Sequence, residues 1–412
     1  MKQRPELEAA LQRATELAST DLTEANFAEQ QRLRQEKQEF DMRLAALLQR
    51  FPDQITIRGE IQRVLNSLKE LSMTAIITAE RVDEYGPISR DEVEAFVCDN
   101  VIVMRHVLER GATASQPGDL PPPSSGATTI LATLIQLERF DLKALGKDSP
   151  VAWHLIAESQ RLAYADRARY AADADFVPVP VAGMIDRKYL AARSALIDPA
   201  KTIPKAVAGT PPGSEKLTFA PSPQLEEYGT SHFSVVDRAG NAVSYTSTIE
   251  SSFGSGLMAG GYFLNNELTD FDMNPELDGR QVANQVEGGK RPRSSMSPAL
   301  VFGPDGRLRM VVGAAGGATI PAQVIRAIIG VIDWDLPVQD ALALPVIFAP
   351  GTEAVFVEQG SWLEGLIPAL KALGHGDVQP RNLPLKANAI ELRGSQAWGA
   401  ADPRSEGTAV SE

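Results

Sequence analysis

Gly229-Thr230-Ser231-His232-Phe233-Ser234-Val235-Val236-Asp237 sets a threonine directly after a glycine, at the mouth of a segment that alternates polar and apolar residues. The alternation predicts a half-buried strand over Ser231 to Arg238. A second strand is expected over Asn241 to Ile249, beyond a tight turn at Ala239-Gly240, which makes the pair a hairpin. A threonine so placed can become a new N-terminus. Cutting the Gly229–Thr230 bond frees an α-amine with a reference pKa of about 7.7 to 8.0, suited to act as general base for the hydroxyl of Thr230 itself. Taken alone, Gly-Thr-Ser-His reads as an ordinary strand threonine, so the decision for a nucleophile rests on its context.

Four further blocks follow in order: Thr246-Ser247-Thr248-Ile249-Glu250-Ser251-Ser252-Phe253-Gly254-Ser255-Gly256, Leu264-Asn265-Asn266-Glu267-Leu268-Thr269-Asp270-Phe271, Arg291-Pro292-Arg293-Ser294-Ser295-Met296-Ser297-Pro298 and Gly313-Ala314-Ala315-Gly316-Gly317. In order and spacing this resembles the small subunit of the γ-glutamyltransferases (glutathione hydrolases), N-terminal-nucleophile enzymes made as one chain that cleaves itself. The resemblance runs from about Pro121 to the C-terminus and includes Gly399-Ala400-Ala401-Asp402-Pro403-Arg404. Upstream of Pro121 it stops.

The resemblance implies a fold and a set of roles. The fold is an α/β N-terminal-nucleophile αββα sandwich, incomplete here and preceded by an unrelated helical segment. Thr230 matches the nucleophile, both for self-cleavage after Gly229 and for attack on a γ-glutamyl amide such as glutathione. Thr248 matches the residue whose hydroxyl bonds the nucleophile, and Gly316 with Gly317 matches the oxyanion pair. Glu250, Glu267 and Asp270 match the positions that hold the substrate's ammonium. Ser294 and Ser295 match the pair that binds its α-carboxylate. In relatives an arginine from the first part of the large subunit completes that clamp, and residues 1–115 offer no match for it. Turnover is therefore expected to be impaired. No cofactor or metal is implied, and the two fragments are expected to stay associated. The stretch between Asp272 and Arg293 has no aromatic residue, so no tyrosine-bearing lid is expected and water is favoured as acceptor. Two alternatives remain: an amidase or acylase with another acyl group, and a truncated or fused non-enzymatic relative that serves association.

Bulk properties point to a small-molecule or protein partner. The 412 residues suffice for two or three domains. A net charge of -13 argues against nucleic acid, whose phosphates call for a basic surface. The single cysteine, Cys98, excludes an intramolecular disulfide, and the four histidines look too scattered for a metal-ligand spacing. Met1–Ala10 lacks the apolar core of a signal peptide, and no run approaches the ~20 apolar residues of a membrane span, so the chain as given reads as cytoplasmic, whereas bacterial relatives are usually periplasmic or secreted.

Four regions are expected. Residues 1–111 read as a helical hairpin or bundle that carries no family resemblance and is a candidate surface for homo-oligomerisation. Residues 112–126 interrupt it as a linker, although in the family the Pro122-Pro123-Ser124-Ser125-Gly126 run packs near the site. Residues 127–229 form the remnant of the large subunit, with helices over Ala127–Phe140 and Ser149–Ala172, the latter with Ser149 as N-cap and Pro150 in its first turn. There His154 and Asp166 are read as structural, Asp173 and Asp175 as too few for a metal site, and Ile203–Pro223 as exposed loop. Residues 230–412 form the small subunit, with further strands at Ala299–Phe302, Arg307–Val312 and Ala354–Val357 and helices at Pro321–Ile332 and Trp362–Leu373.

Overall fold

The computed structural model describes residues 122–222, 229–394 and 396–411. The expectations for residues 1–111 and for the first part of the linker fall outside them. Gly256–Leu264 groups apart from the other described residues and forms a small hairpin, treated last.

Helix α1 (Gly126–Leu137) buries Ile130 and Leu137, and Thr129 and Thr133 satisfy their hydroxyls on carbonyls four residues back. The long helix α2 (Pro150–Tyr170) begins with proline, whose missing N–H is harmless in a first turn. Ser149 occupies its N-cap position but forms no side-chain cap bond. Every residue from Ala152 to Arg167 is buried, which is the signature of a central helix rather than a surface one. Helix α3 (Arg187–Ser194), absent from the sequence expectations, is capped by Asp186, which accepts the Tyr189 N–H at 2.8 Å.

The expected hairpin is present as β1 (Ser231–Val236) and β2 (Ala242–Ser247), antiparallel, with Phe233 opposite Tyr245 and Val235 opposite Val243. The other main sheet is antiparallel in the order β13-β12-β8-β7, with β7 (Ala299–Phe302), β8 (Leu308–Ala315), β12 (Lys386–Arg393) and β13 (Gln396–Ala401). The hairpin lies on this sheet by its polar face. Ser244 Oγ donates to Val312 O at 3.0 Å, Asn388 Nδ2 donates to His232 O at 2.5 Å, and the His232 ring occupies the space where a Cβ on Gly313 would stand. Its other face leaves Phe233 and Val235 exposed.

Behind β8 lies helix α4 (Ile320–Ile332), whose Val324, Ile325, Ala327, Ile329 and Val331 join one core with Ile130 and Leu137 of α1 and Trp153, Leu155 and Ile156 of α2. Hairpin, sheet and helices thus form three stacked layers. Helix α5 (Val338–Ala343) and a mixed sheet of β9 (Ile347–Phe348), β10 (Ala354–Glu358) and β11 (Asp377–Arg381) complete the core's far end. The expected helix from Trp362 is a 3-10 turn over Trp362–Leu366 that becomes helix α6 (Ile367–Ala372).

The Pro/Gly-rich stretch is not simply exposed. Ala220 and Ser222 are buried, with the Ala220 N–H on Gln281 O, the Ser222 N–H on Ala168 O and the Ser222 hydroxyl on Asp272 Oδ2 at 2.6 Å. A short antiparallel pair is made by β5 (Glu276–Leu277) and β6 (Arg280–Gln281). In the separate segment Gly256–Leu264, β3 (Met258–Ala259) pairs antiparallel with β4 (Tyr262–Phe263).

Candidate active site

Thr230 stands at the entry to β1, 8% exposed, and its hydroxyl donates to Thr248 Oγ1 at 3.2 Å. Thr248 follows β2, so the hairpin register brings the two hydroxyls together across 18 positions. The Thr248 oxygen also accepts the Glu250 N–H at 2.8 Å. Glu250 holds a positive φ of 71°, a conformation costly for a residue with a Cβ and commonly stored at functional sites. Gly229 has φ 130°, and a Cβ there would lie 2.3 Å from Glu250 O. The bend before the threonine therefore requires glycine.

A pocket opens at this point. Thr230, Thr248, Glu250, Glu267, Asp270 and Ser294 line it, with Met296 and Ile320 as its apolar walls. Glu267 and Asp270 lie on one 3-10 turn, Glu267–Asp270, whose residues three apart face the same way. Glu250 Oε2 accepts from Ser251 Oγ at 2.7 Å and from Asn266 Nδ2. Burial, reinforced by the Glu250 carboxylate, pushes the Glu267 carboxyl above the usual range. Its Oε1 is buried with no hydrogen-bond partner among the described residues. Three acids and no base line the pocket. Such a site favours a cationic ligand group, which would relieve both the mutual repulsion and the unpaired acceptor.

Of two sequence-predicted pairs, only Ser294 is among the residues that line the pocket. Ser294 lines the pocket, but Ser295 is 1% exposed, is not among the lining residues, and accepts a bond from Arg167 Nη2 at 2.7 Å. Ser294 forms a bridge with Ser124, and in such extended backbone adjacent side chains point to opposite faces. Gly316 and Gly317, with φ of 129° and 56°, form the turn between β8 and α4. The pocket meets this turn at Ile320, and neither glycine is among its lining residues.

Polar anchors tie together the segments around the site, and their partners are not written in the sequence. The Pro-Pro-Ser-Ser-Gly run is no loose joint: Ser125 donates its N–H and its hydroxyl to Ser294 O at 3.0 and 2.7 Å, and Ser124 Oγ donates to Met296 O. The Asp173–Asp175 pair is closed by Arg291, which bonds Asp173 at 2.6 Å and Asp175 at 2.7 Å, and these bonds lower the Asp173 carboxyl to about 2. Asp166 accepts from Tyr189 Oη and the Gly209 N–H, which makes it a structural anchor.

The histidines are less scattered than the sequence suggests. His154, Glu158 and His375 bring ligand-type atoms within 4.8 Å of one another, all buried. Their existing bonds form a chain instead. His154 Nε2 meets Asp198 O at 2.9 Å, His154 Nδ1 meets His375 Nε2 at 2.7 Å, and Glu158 Oε1 accepts from Arg161 and from Thr202. A guanidinium on the carboxylate and two ring nitrogens aimed at each other suit a hydrogen-bonded cluster better than a bound metal cation. Neither feature has a local sequence signal, since His154 and His375 lie 221 positions apart.

Comparison with known proteins identifies the family. A family model described as Gamma-glutamyltranspeptidase matches residues 110–411. A second, described as KaiC, matches residues 41–116, outside the described residues, where the sequence carried no recognised resemblance. The glutathione hydrolase proenzyme of Bacillus subtilis (strain 168) is 36% identical over 299 residues, 70% of this chain and 50% of that protein. The acylase ACY 1 proenzyme of Pseudomonas sp. (strain V22) is 35% identical over 70% of this chain and 49% of its own length. A crystal structure of cephalosporin acylase from Bacillus halodurans shares the fold, with a TM-score of 0.59 at 22% identity over 70% of this chain and 49% of that one. The chain thus spans about half the length of the curated relatives it matches. No helix among the described residues is long and apolar enough to cross a membrane. With the family model covering residues 110–411, this chain belongs to the γ-glutamyltranspeptidase family.

Proposed function

We propose that the chain is a γ-glutamyl hydrolase or transferase that matures by cutting itself after Gly229. The observation that carries the reading is one pocket holding the Thr230–Thr248 hydroxyl pair at 3.2 Å beside Glu250, Glu267 and Asp270. In the uncut chain Thr230 Oγ1 attacks the Gly229 carbonyl, the Gly229–Thr230 C–N bond breaks as the Thr230 nitrogen takes up the hydroxyl's proton and becomes the free α-amine, and water then hydrolyses the resulting ester to give the Gly229 carboxylate and restore the Thr230 hydroxyl. Thr248 accepts the attacking hydroxyl's proton contact and is itself fixed by the Glu250 N–H.

In the mature form the same oxygen attacks a γ-glutamyl amide such as glutathione, the amine takes up the proton, and water or an amine acceptor resolves the acyl-enzyme. Glu250, Glu267 and Asp270 hold the ligand's ammonium, Ser294 donates to its carboxylate, and backbone N–H groups of Gly316 and Gly317 serve the oxyanion. Gly316 cannot bear a side chain, since a Cβ would lie 2.0 Å from Pro384 O. Both fragments contribute to the core of α1, α2, β8 and α4, so the cut pieces stay together.

An acylase relative at 35% identity supports a second reading, the same machinery on a different acyl group. The test is a denaturing gel with intact mass on the purified chain, followed by anilides of γ-glutamyl and of uncharged acyl groups. Pieces 1–229 and 230–412 from the wild type, an intact Thr230→Ala chain and preference for the γ-glutamyl anilide are expected. A folded wild-type chain that stays whole at neutral pH removes Thr230 as nucleophile, and preference for uncharged acyl groups selects the second reading.

A further inference from the structure

Ser294 is the only serine lining the pocket, and its place depends on a network that converges on one buried arginine. Arg167 lies near the end of α2, 1% exposed. Its Nε–H donates to Ser125 Oγ at 2.8 Å and its Nη2–H to Ser295 Oγ at 2.7 Å. Ser125 Oγ in turn gives its proton to Ser294 O at 2.7 Å. The guanidinium fork therefore grips both the strand neighbour and the chain neighbour of Ser294. We propose that Arg167 is the positioning residue for carboxylate recognition, holding the Ser294 hydroxyl at the pocket wall without touching the ligand itself. The proposal rests on the γ-glutamyl reading of the site.

Three observations support this role. First, the Ser294 oxygen accepts the Met296 N–H at 3.2 Å, so its own proton is left to donate into the pocket. The three acids define the ammonium end of a zwitterionic ligand, and a hydroxyl donor is what its carboxylate end requires. Second, the backbone here is packed too closely to adjust. A Cβ on Gly126 would lie 2.6 Å from Ser295 O and 2.5 Å from Ser297 Oγ. Third, the two bonds leave from separate nitrogens of a planar fork, a geometry that the single ammonium of lysine does not reproduce. Arg167 thus acts through Ser125 and Ser295, and a small shift of Ser294 would weaken the carboxylate contact while leaving the ammonium side intact.

The test compares γ-L-glutamyl 4-nitroanilide with 4-aminobutyryl 4-nitroanilide, which differ only in the α-carboxylate. The ratio of kcat/KM for the two substrates is measured in wild type and Arg167→Lys, a ratio that cancels any difference in the fraction of chain cleaved. A fall of about tenfold or more in that ratio, carried by KM for the glutamyl substrate, is expected from loss of one charge-assisted bond. Equal losses on both substrates would show a merely structural residue and overturn the proposal, as would an unchanged ratio. Ser125→Ala, which removes only the Nε acceptor, carries the same comparison if Arg167→Lys does not fold. A wild-type chain that turns over neither substrate overturns the γ-glutamyl reading and this proposal together, whereas turnover with a ratio indifferent to Arg167 overturns only the latter.

Discussion

Replacing Gly229 by alanine tests whether the geometry before Thr230 governs self-cleavage. At φ 130° the added methyl carbon would stand 2.3 Å from Glu250 O, 2.8 Å from Ser251 C and 3.0 Å from Ser252 N, all of them backbone atoms. None can rotate away as a side-chain end would. The conformation itself costs an L-residue on the order of 1 to 3 kcal/mol, so the chain relaxes by moving Gly229's carbonyl, the group that Thr230 Oγ1 attacks. A displacement of about 1 Å at a reacting pair lowers rate by roughly a hundredfold. The assay follows the intact chain by denaturing gel and mass over time at neutral pH, with thermal melts to confirm that the variant is folded. The expected result is a folded chain whose cleavage half-time rises about a hundredfold. Cleavage of folded Gly229→Ala at the wild-type rate would refute the reasoning, because the attacked carbonyl would then be indifferent to the contact with Glu250.

Two further outcomes follow from the electrostatics. Asp270→Ala should weaken γ-glutamyl ligands by about 3 kcal/mol, and Asp270→Asn by less because it keeps an acceptor, as calorimetric titration would reveal; equal affinities would remove Asp270 from the site. Burial lowers His375 from 6.5 to about 4, with the Glu158 carboxylate opposing the shift. The unfolded chain therefore binds more protons between these values, and stability falls as pH drops from about 6.5 toward 4. At pH 5 this costs about 2 kcal/mol relative to pH 7. Urea melts at both pH values should show the loss in wild type and a smaller one in His375→Gln, and an identical pH dependence in the two would exclude His375 as its source.

The elements written by local periodicity were legible in the sequence. The β1–β2 hairpin, β7 and helices α2 and α4 each carry a local signal, alternation in the hairpin, an apolar face in α4 and the Ser149-Pro150 start of α2. The four-strand sheet was only half visible, because β12 and β13 owe their places to pairing with β8 and with each other, and register between distant segments leaves no local trace.

The site divides in the same way. The family resemblance singled out Thr230, Thr248, Glu250, Glu267, Asp270 and Ser294, and the fold gathers all six around one pocket. Ser295 was assigned with its neighbour, yet an extended backbone sends adjacent side chains to opposite faces, and Arg167 takes the one that faces inward. Asp173 meets Arg291 across 118 positions and His154 meets His375 across 221. Sequence determined which chemistry was present, because each residue carries its own charge and hydrogen-bonding groups. Only tertiary structure decided which groups meet, because partners for buried charges are set by packing between segments that the order of residues does not join.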